Sequence, residues 1–476
     1  MSSLAKNTAL MMAGSIGQKI ISLLYFAIVA RTIGVSNTGL YTAALAMSTI
    51  FVVFVDLGFT NVFIREAAKE PDKIQTYFSR VLAAKMICGV LSYGALAATL
   101  RLLDFEWEFK QLVYISGLTM LFDSFHLTAY GALRAYGNLK YESIALAGSQ
   151  FLTLVLGSLF LYLRLPLYFL ILAFTTASAA NAIFAGFVLR RRYGLSLCPS
   201  FDRAEIKKLA YLTLPFALAA IFGRIYSYVD VVLLKKLASN AAVGYYSTPS
   251  KITFAFQFIP LALIASLYPR FSEYFVRDRE KLAQMFAQSL KYLGLIALPL
   301  TVGIFILAPD IIVAAFTAEF LPSVLPLRIL IISLLFSFIS FPIGAFLNAT
   351  NRQTMQTAIT ACVLAANITA NLLLIPRYGA AGAAAAALLG NLLLGAVGYA
   401  LIPTIARIPH AFIARSFLSL SAAAALMGAA VWYLNRTAGL WPAVVGGAAS
   451  YAGLLFITKA LSWPDVKELI GLLKAR

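Results

Sequence analysis

Two cations stand where charge is expensive. Lys19 sits about halfway along an apolar segment running from roughly Asn7 to Ala30, and Arg224 halfway along another from roughly Leu209 to Leu234. Segments of this length and apolarity span a bilayer. At ~1.5 Å rise per residue each cation lies about 15 Å from either hydrocarbon edge, too far for its side chain to snorkel. An intramembrane cation costs roughly 2.5–3.5 kcal/mol, so it normally faces a polar interior and carries a function. Arg grips phosphate with two donors and Lys acts as a point charge. The pair implies an anionic cargo; the bland alternative is a cation paired with a buried carboxylate that holds helices together.

Asp56 and Asp230 are the candidate partners. Asp230 follows Arg224 by six residues, about 120° off its helix face, so the two are not expected to pair. Lys251, in the outer third of the next span, is the better partner for Asp230. Asp56 lies in the stretch DLGFTN and equally suits a turn and cap. Asp123 and His126 are three residues apart and share one helix face. A carboxylate beside a histidine offers a route for a coupling proton, since His titrates near neutral pH; a hydrogen-bonded packing pair is the competing reading. Lys85 and Lys291 occupy the inner thirds of their spans, where they either draw an anion in from the cytoplasm or snorkel to the interface. Arg31, Arg65 and Arg270 sit at helix ends. Arg65 and Arg270 follow the cytoplasmic bias of basic residues, whereas Arg31, on the outer side, runs against it.

These residues need a membrane scaffold, and the composition supplies one. The 476-residue chain is 61% hydrophobic and 12% charged, about half the charged fraction of a soluble protein. About fourteen apolar segments have spanning length, which makes the fold an all-α polytopic membrane protein. An even number puts both termini on one side. The runs Arg190-Arg191-Arg192 and Lys207-Lys208 and the basic stretch from Arg270 to Lys281 fall on that side, which is therefore cytoplasmic. Roughly 24 Lys and Arg lie at cytoplasmic ends and about 9 at external ends. That asymmetry explains most of the net charge of +19 without a nucleic-acid partner. The opening MSSLAK leads straight into a span, so no cleaved signal peptide is expected. Cys88, Cys198 and Cys362 are dispersed and form neither a disulfide framework nor a zinc motif.

The two halves resemble each other. Arg31, Gly39, Tyr41 and Arg65 recur as Lys236, Gly244, Tyr246 and Arg270 at a constant offset of about 205 residues. Six spans separate the copies, so they share orientation in the membrane, as in parallel transporter repeats with cargo between the halves. The expected organisation is an N-terminal lobe at 1–189, a basic cytoplasmic linker at 190–207, a second lobe at 208–405, and two further spans with a tail at 406–476. The tail Pro464–Arg476 carries Val466, Leu469, Ile470 and Leu473 at helical spacing, as an interfacial amphipathic helix does.

Several stretches carry a family likeness across essentially the whole chain: NTALMMAGSIGQKIISLLYFAIVARTIGVSNTGLY, DLGFTNVFIREAAK, AVGYYSTPSKI, FLNATNRQ and IPRYGAAGAAAAALL. In their order and spacing the chain resembles the polysaccharide-transporter branch of the flippase superfamily that also holds multidrug and toxin extrusion proteins. Asn351 stands where a glycine is usual in a turn of the GRQ type, and Asn tolerates that geometry. The resemblance implies two pseudo-symmetric six-helix lobes in a V plus two C-terminal helices. It implies export of an undecaprenyl-diphosphate-linked oligosaccharide from the cytoplasmic to the outer leaflet of the cell membrane by alternating access. It also implies contact with membrane lipids and with other polysaccharide-assembly membrane proteins. No cofactor is needed beyond a coupling ion, Na⁺ or H⁺.

Enzyme chemistry is not visible. The outer acids Asp104, Glu106 and Glu108 crowd one short loop, and the only histidines, His126 and His410, are far apart with no metal spacing. No stretch resembles a channel filter. The rivals are a cation-coupled multidrug exporter and a peptidoglycan-precursor flippase of the same superfamily. A drug exporter wants deep carboxylates for cationic drugs; deep cations outnumber deep acids here.

Overall fold

The computed structural model describes residues 3–458, 460 and 461; the expected amphipathic tail lies outside the described residues. The order is α1 (Ser3–Asp56), α2 (Phe59–Lys69), α3 (Ile74–Leu102), α4 (Trp107–Ala135), α5 (Lys140–Tyr162), α6 (Tyr168–Tyr193) and α7 (Arg203–Leu237). It continues with α8 (Asn240–Phe256), α9 (Phe258–Arg277), α10 (Arg279–Ala315), α11 (Val324–Ala349), α12 (Gln353–Leu401), α13 (His410–Ala438) and α14 (Leu440–Ile457). No strand occurs among the described residues. A helix satisfies its backbone polar groups internally, which lipid demands.

Twelve helical stretches among the described residues are long and apolar enough to cross a membrane, two fewer than the segments expected. The difference lies in α1 and α12. Each contains one glycine with non-helical backbone, Gly34 (φ 74°) and Gly379 (φ 52°). The positive φ is accessible to glycine at little cost. On each side of the break the helical run is long enough to span ~30 Å at ~1.5 Å per residue.

The helices form two compact units, Met1–Gly244 and Tyr245–Arg476. In the first, the α2, α3, α4 and α6 faces bury Phe63, Phe78, Val81, Tyr130, Leu133 and Leu189 in one cluster. The connection after α6 turns at Gly194 (φ 65°) and is fastened to α3. Gln75 exchanges two hydrogen bonds with the backbone of Ser196 (2.7 and 3.1 Å), and Arg80 pairs with Glu205 at 3.1 Å. The boundary between units falls later than the 190–207 linker because α7 packs against α1, α2 and α3. At the far end of α7, Lys235 pairs with Glu106 at 3.2 Å and Lys236 donates to the Leu103 carbonyl at 2.6 Å.

The repeated glycines have a packing purpose. A Cβ on Gly39 would lie 1.8 Å from the Asn240 carbonyl oxygen and 2.8 Å from the Gly244 nitrogen. A Cβ on Gly244 would lie 2.3 Å from the Val35 carbonyl oxygen. Corresponding positions of the two sequence copies thus meet backbone to backbone, the close approach that small residues permit between membrane helices. The helix also breaks at matching places in the two copies, at Gly34 and between α7 and α8.

In the second unit, α10, α13 and α14 enclose Leu298, Leu420, Ala424, Met427, Val431 and Tyr451. Phe346 of α11 lies edge-on to Phe271 and Phe286. Asp278 caps α10, accepting from the backbone N–H of Glu280 and Lys281 at 3.2 and 3.0 Å.

Candidate functional site

A cavity of about 270 Å³ with polar and apolar walls is lined by residues of the first unit. Its walls come from five helices at regular helical spacing. On α5 the lining positions are Leu146, Ser149, Gln150 and Thr153; on α6 they are Phe174, Ala177, Ser178 and Asn181. Both rows follow i, i+3, i+4, i+7, which is one helix face. α4 contributes Asp123, His126 and Leu127, α1 contributes Gln18, Thr49 and Val52, and α7 contributes Arg224.

The acid end of the cavity is ordered. His126 Nε2 lies 3.1 Å from Asp123 Oδ1, and the Ser178 hydroxyl donates to the same oxygen. Tyr130, one turn beyond His126, donates its hydroxyl to Asn181 Oδ1, and its ring centroid is 5.7 Å from the imidazole. The buried His126 Nδ1 has no hydrogen-bond partner among the described residues. Asp123 and His126 therefore meet as their spacing predicts, and the structure adds Ser178 and Asn181 from the facing helix.

A second cluster joins residues that sequence reasoning kept apart. Lys85 is 4% exposed and forms an ion pair with Asp56. Its ammonium also donates to Thr60 Oγ1 at 2.8 Å and to the Ser124 carbonyl at 3.2 Å, so all three of its N–H donors are engaged. Thr60 in turn donates to Asp56 Oδ1 at 2.5 Å. Asp56 closes α1, and the chain then turns through Leu57 (φ 44°) and Gly58 (φ 81°). The turn reading of DLGFTN describes this segment, and the same carboxylate holds the lysine. Lys85 does not snorkel: α1, α2, α3 and α4 surround it.

The remaining candidates are placed as follows. Lys19 is part-buried on α1 next to Gln18 and is not among the residues lining the cavity. Asp230 is 6% exposed on α7, and Lys251 is part-buried on α8. Arg31 is exposed three residues before the break at Gly34. Arg65 pairs with Glu66 at 2.8 Å on the surface. Arg270 is part-buried on α9. Lys291 of α10 lies 5.8 Å from the ring centroid of Phe412 in α13.

Sequence reasoning followed formal charge, so it missed the uncharged lining: Gln18, Thr49, Ser149, Gln150, Thr153, Ser178 and Asn181. The available signal was the helical spacing of amides and hydroxyls on α5 and α6 within otherwise apolar spans.

Known proteins resemble this chain along much of its length. The capsular polysaccharide biosynthesis protein CapF of Staphylococcus aureus is 23% identical over 396 residues, covering 80% of this chain and 94% of CapF. The probable low-salt glycan biosynthesis flippase Agl15 of Haloferax volcanii is 24% identical over 212 residues. That match spans 43% of this chain and less than half, 44%, of Agl15. The solved structure of the lipid II flippase MurJ in an inward closed conformation shares the fold, with a TM-score of 0.78 at 16% identity over 96% of this chain and 99% of that one. The MatE family profile matches residues 215–373. The profile of the polysaccharide biosynthesis protein family matches residues 4–275, more than half of the chain, and the chain belongs to that family, within the superfamily of multidrug, oligosaccharidyl-lipid and polysaccharide flippases.

Proposed function

We propose that the chain is a flippase carrying a polyprenyl-diphosphate-linked oligosaccharide, in bacteria an undecaprenyl one, from the cytoplasmic to the outer leaflet by alternating access. The observation that carries this reading is Arg224 in the wall of a partly polar cavity, in a chain of the polysaccharide biosynthesis protein family. Relatives named as a glycan biosynthesis flippase and a capsular polysaccharide biosynthesis protein support it.

In this reading the runs on either side of Gly34 and Gly379 cross separately, giving fourteen crossings with both termini cytoplasmic in the cell membrane. Two six-helix lobes, 1–189 and 208–405, move about their pseudo-symmetry axis. Arg65, Arg270 and Lys291 gather the anionic head from the cytoplasm. Lys19, Arg224 and Lys251 replace its water at depth, with Asp230 balancing Lys251, and Arg31 receives it on the outer side. Asp123 and His126 carry the coupling ion, a proton in preference to Na⁺ because the pair joins an imidazole to a carboxylate. The Asp56–Lys85 pair holds the first four helices in place.

Deleting the gene and analysing the membrane tests this. The expected result is a lipid-linked oligosaccharide accumulating on the cytoplasmic leaflet, rescued by the wild-type chain and not by Arg224→Ala. Sensitivity to cationic drugs with normal lipid-linked sugars would point to the multidrug branch instead.

A further inference from the structure

The cavity in the first unit is lined by one cation, Arg224, and one carboxylate, Asp123. In the flippase reading the lipid diphosphate belongs at Arg224, and the groups around Asp123 face another part of the cargo. Among its polar lining, uncharged amides and hydroxyls outnumber the charged groups. Gln150 is 8% exposed, lines the cavity, and makes no hydrogen bond among the described residues. The Gln150 amide opens onto the cavity rather than being sealed among apolar atoms, so a cargo group can replace the water it meets there. Gln18 presents a second amide from α1 without a hydrogen bond among the described residues. Asp123 spends Oδ1 on His126 and Ser178 and keeps Oδ2 for a donor. Phe174 on the α6 face supplies an apolar surface beside these groups.

Amides that donate and accept side by side, a carboxylate oxygen in reserve and one aromatic face suit a ring with hydroxyls at its rim and C–H bonds on its faces. We propose that this cavity receives a sugar residue of the cargo, a pyranose held by the Gln18 and Gln150 amides and Asp123 Oδ2 and resting on Phe174. The volume admits a monosaccharide, so the contact selects the sugar nearest the lipid diphosphate or one branch sugar, and the rest of the glycan stays outside. This inference rests on the flippase reading and adds a sugar-reading subsite to it.

The test measures the affinity of the reconstituted full chain for two lipids, undecaprenyl diphosphate and the same lipid bearing a single N-acetylglucosamine. The sugar-bearing lipid should bind about tenfold more tightly, as one or two added neutral hydrogen bonds allow. Gln150→Ala and Gln18→Ala should each bring that ratio about threefold closer to one. The two substitutions sit on different helices, so one unfolded variant leaves the other to decide. Equal binding of both lipids by the wild type overturns the sugar subsite and leaves the flippase reading standing. A preference that survives both substitutions in folded protein also overturns it. Failure to bind either lipid overturns the flippase reading, and the subsite falls with it.

Discussion

Removing Lys85 separates a structural lysine from a transporting one. Its ammonium holds the Asp56 carboxylate, Thr60 Oγ1 at 2.8 Å and the Ser124 carbonyl at 3.2 Å. Lys85→Met keeps most of the volume and leaves Asp56, whose side chain is 17% exposed, with Thr60 alone. Stranding one member of a buried pair costs about 3–5 kcal/mol, whereas replacing both by apolar groups of similar size is often neutral or favourable. For a cooperative unit of this size, each kcal/mol moves the melting temperature by roughly 2–4 °C. Lys85→Met and Asp56→Leu should therefore each lower it by roughly 6–20 °C. The double variant should recover most of that loss, standing about 2–4 kcal/mol above either single variant. Thermal unfolding of purified protein, followed by monodisperse fraction on size exclusion, reads the shift. A Lys85→Met protein that melts within about 2 °C of wild type refutes the argument. If that protein has also lost flux, Lys85 contacts the cargo directly.

Three further outcomes follow from local geometry. Gly39→Ala places a methyl 1.8 Å from the Asn240 carbonyl, so it should destabilise by at least about 1–3 kcal/mol. Gly94→Ala, with nothing within 4 Å, should be neutral or gain up to about 1 kcal/mol; equal melting curves for the two would contradict the close crossing. The Asp278 carboxyl titrates below its ordinary value of 3.8 because the Lys281 backbone N–H, aided by the Lys281 ammonium and the Glu280 N–H, favours its charged form. The cap's contribution is thus full above pH 3.8 and lost as pH falls through the lowered folded value. Asp278→Ala should melt lower than wild type at pH 7, with the two curves converging in strong acid; a gap unchanged by pH counts against the cap. Asp123→Asn with His126→Ala should abolish pH-driven flux while binding of sugar-free undecaprenyl diphosphate persists, and unchanged flux returns the pair to packing.

Fold class was legible because apolar length is a property of sequence, and the cation-Gly-Tyr-Arg repeat located Gly39 and Gly244 before their contact was visible. The Asp123–His126 pair was legible because both lie on one helix face. Lys85 and Asp56 were not, because their meeting depends on a turn with two consecutive positive φ values at Leu57 and Gly58 and on four helices converging. The cavity was half legible: Arg224 announced itself by charge. Gln150 and Asn181 did not, since an amide carries no formal charge to mark it and only the fold shows that α5 and α6 turn those faces toward Asp123.

Flipping itself is the most direct measurement. Proteoliposomes carrying a fluorescent undecaprenyl-diphosphate oligosaccharide in one leaflet report its arrival in the other through an impermeant quencher. The account predicts protein-dependent transfer that Arg224→Ala abolishes in folded protein and Arg224→Lys restores in part, because lysine keeps the charge and loses the two-donor grip. Transfer by Arg224→Ala at the wild-type rate would contradict it.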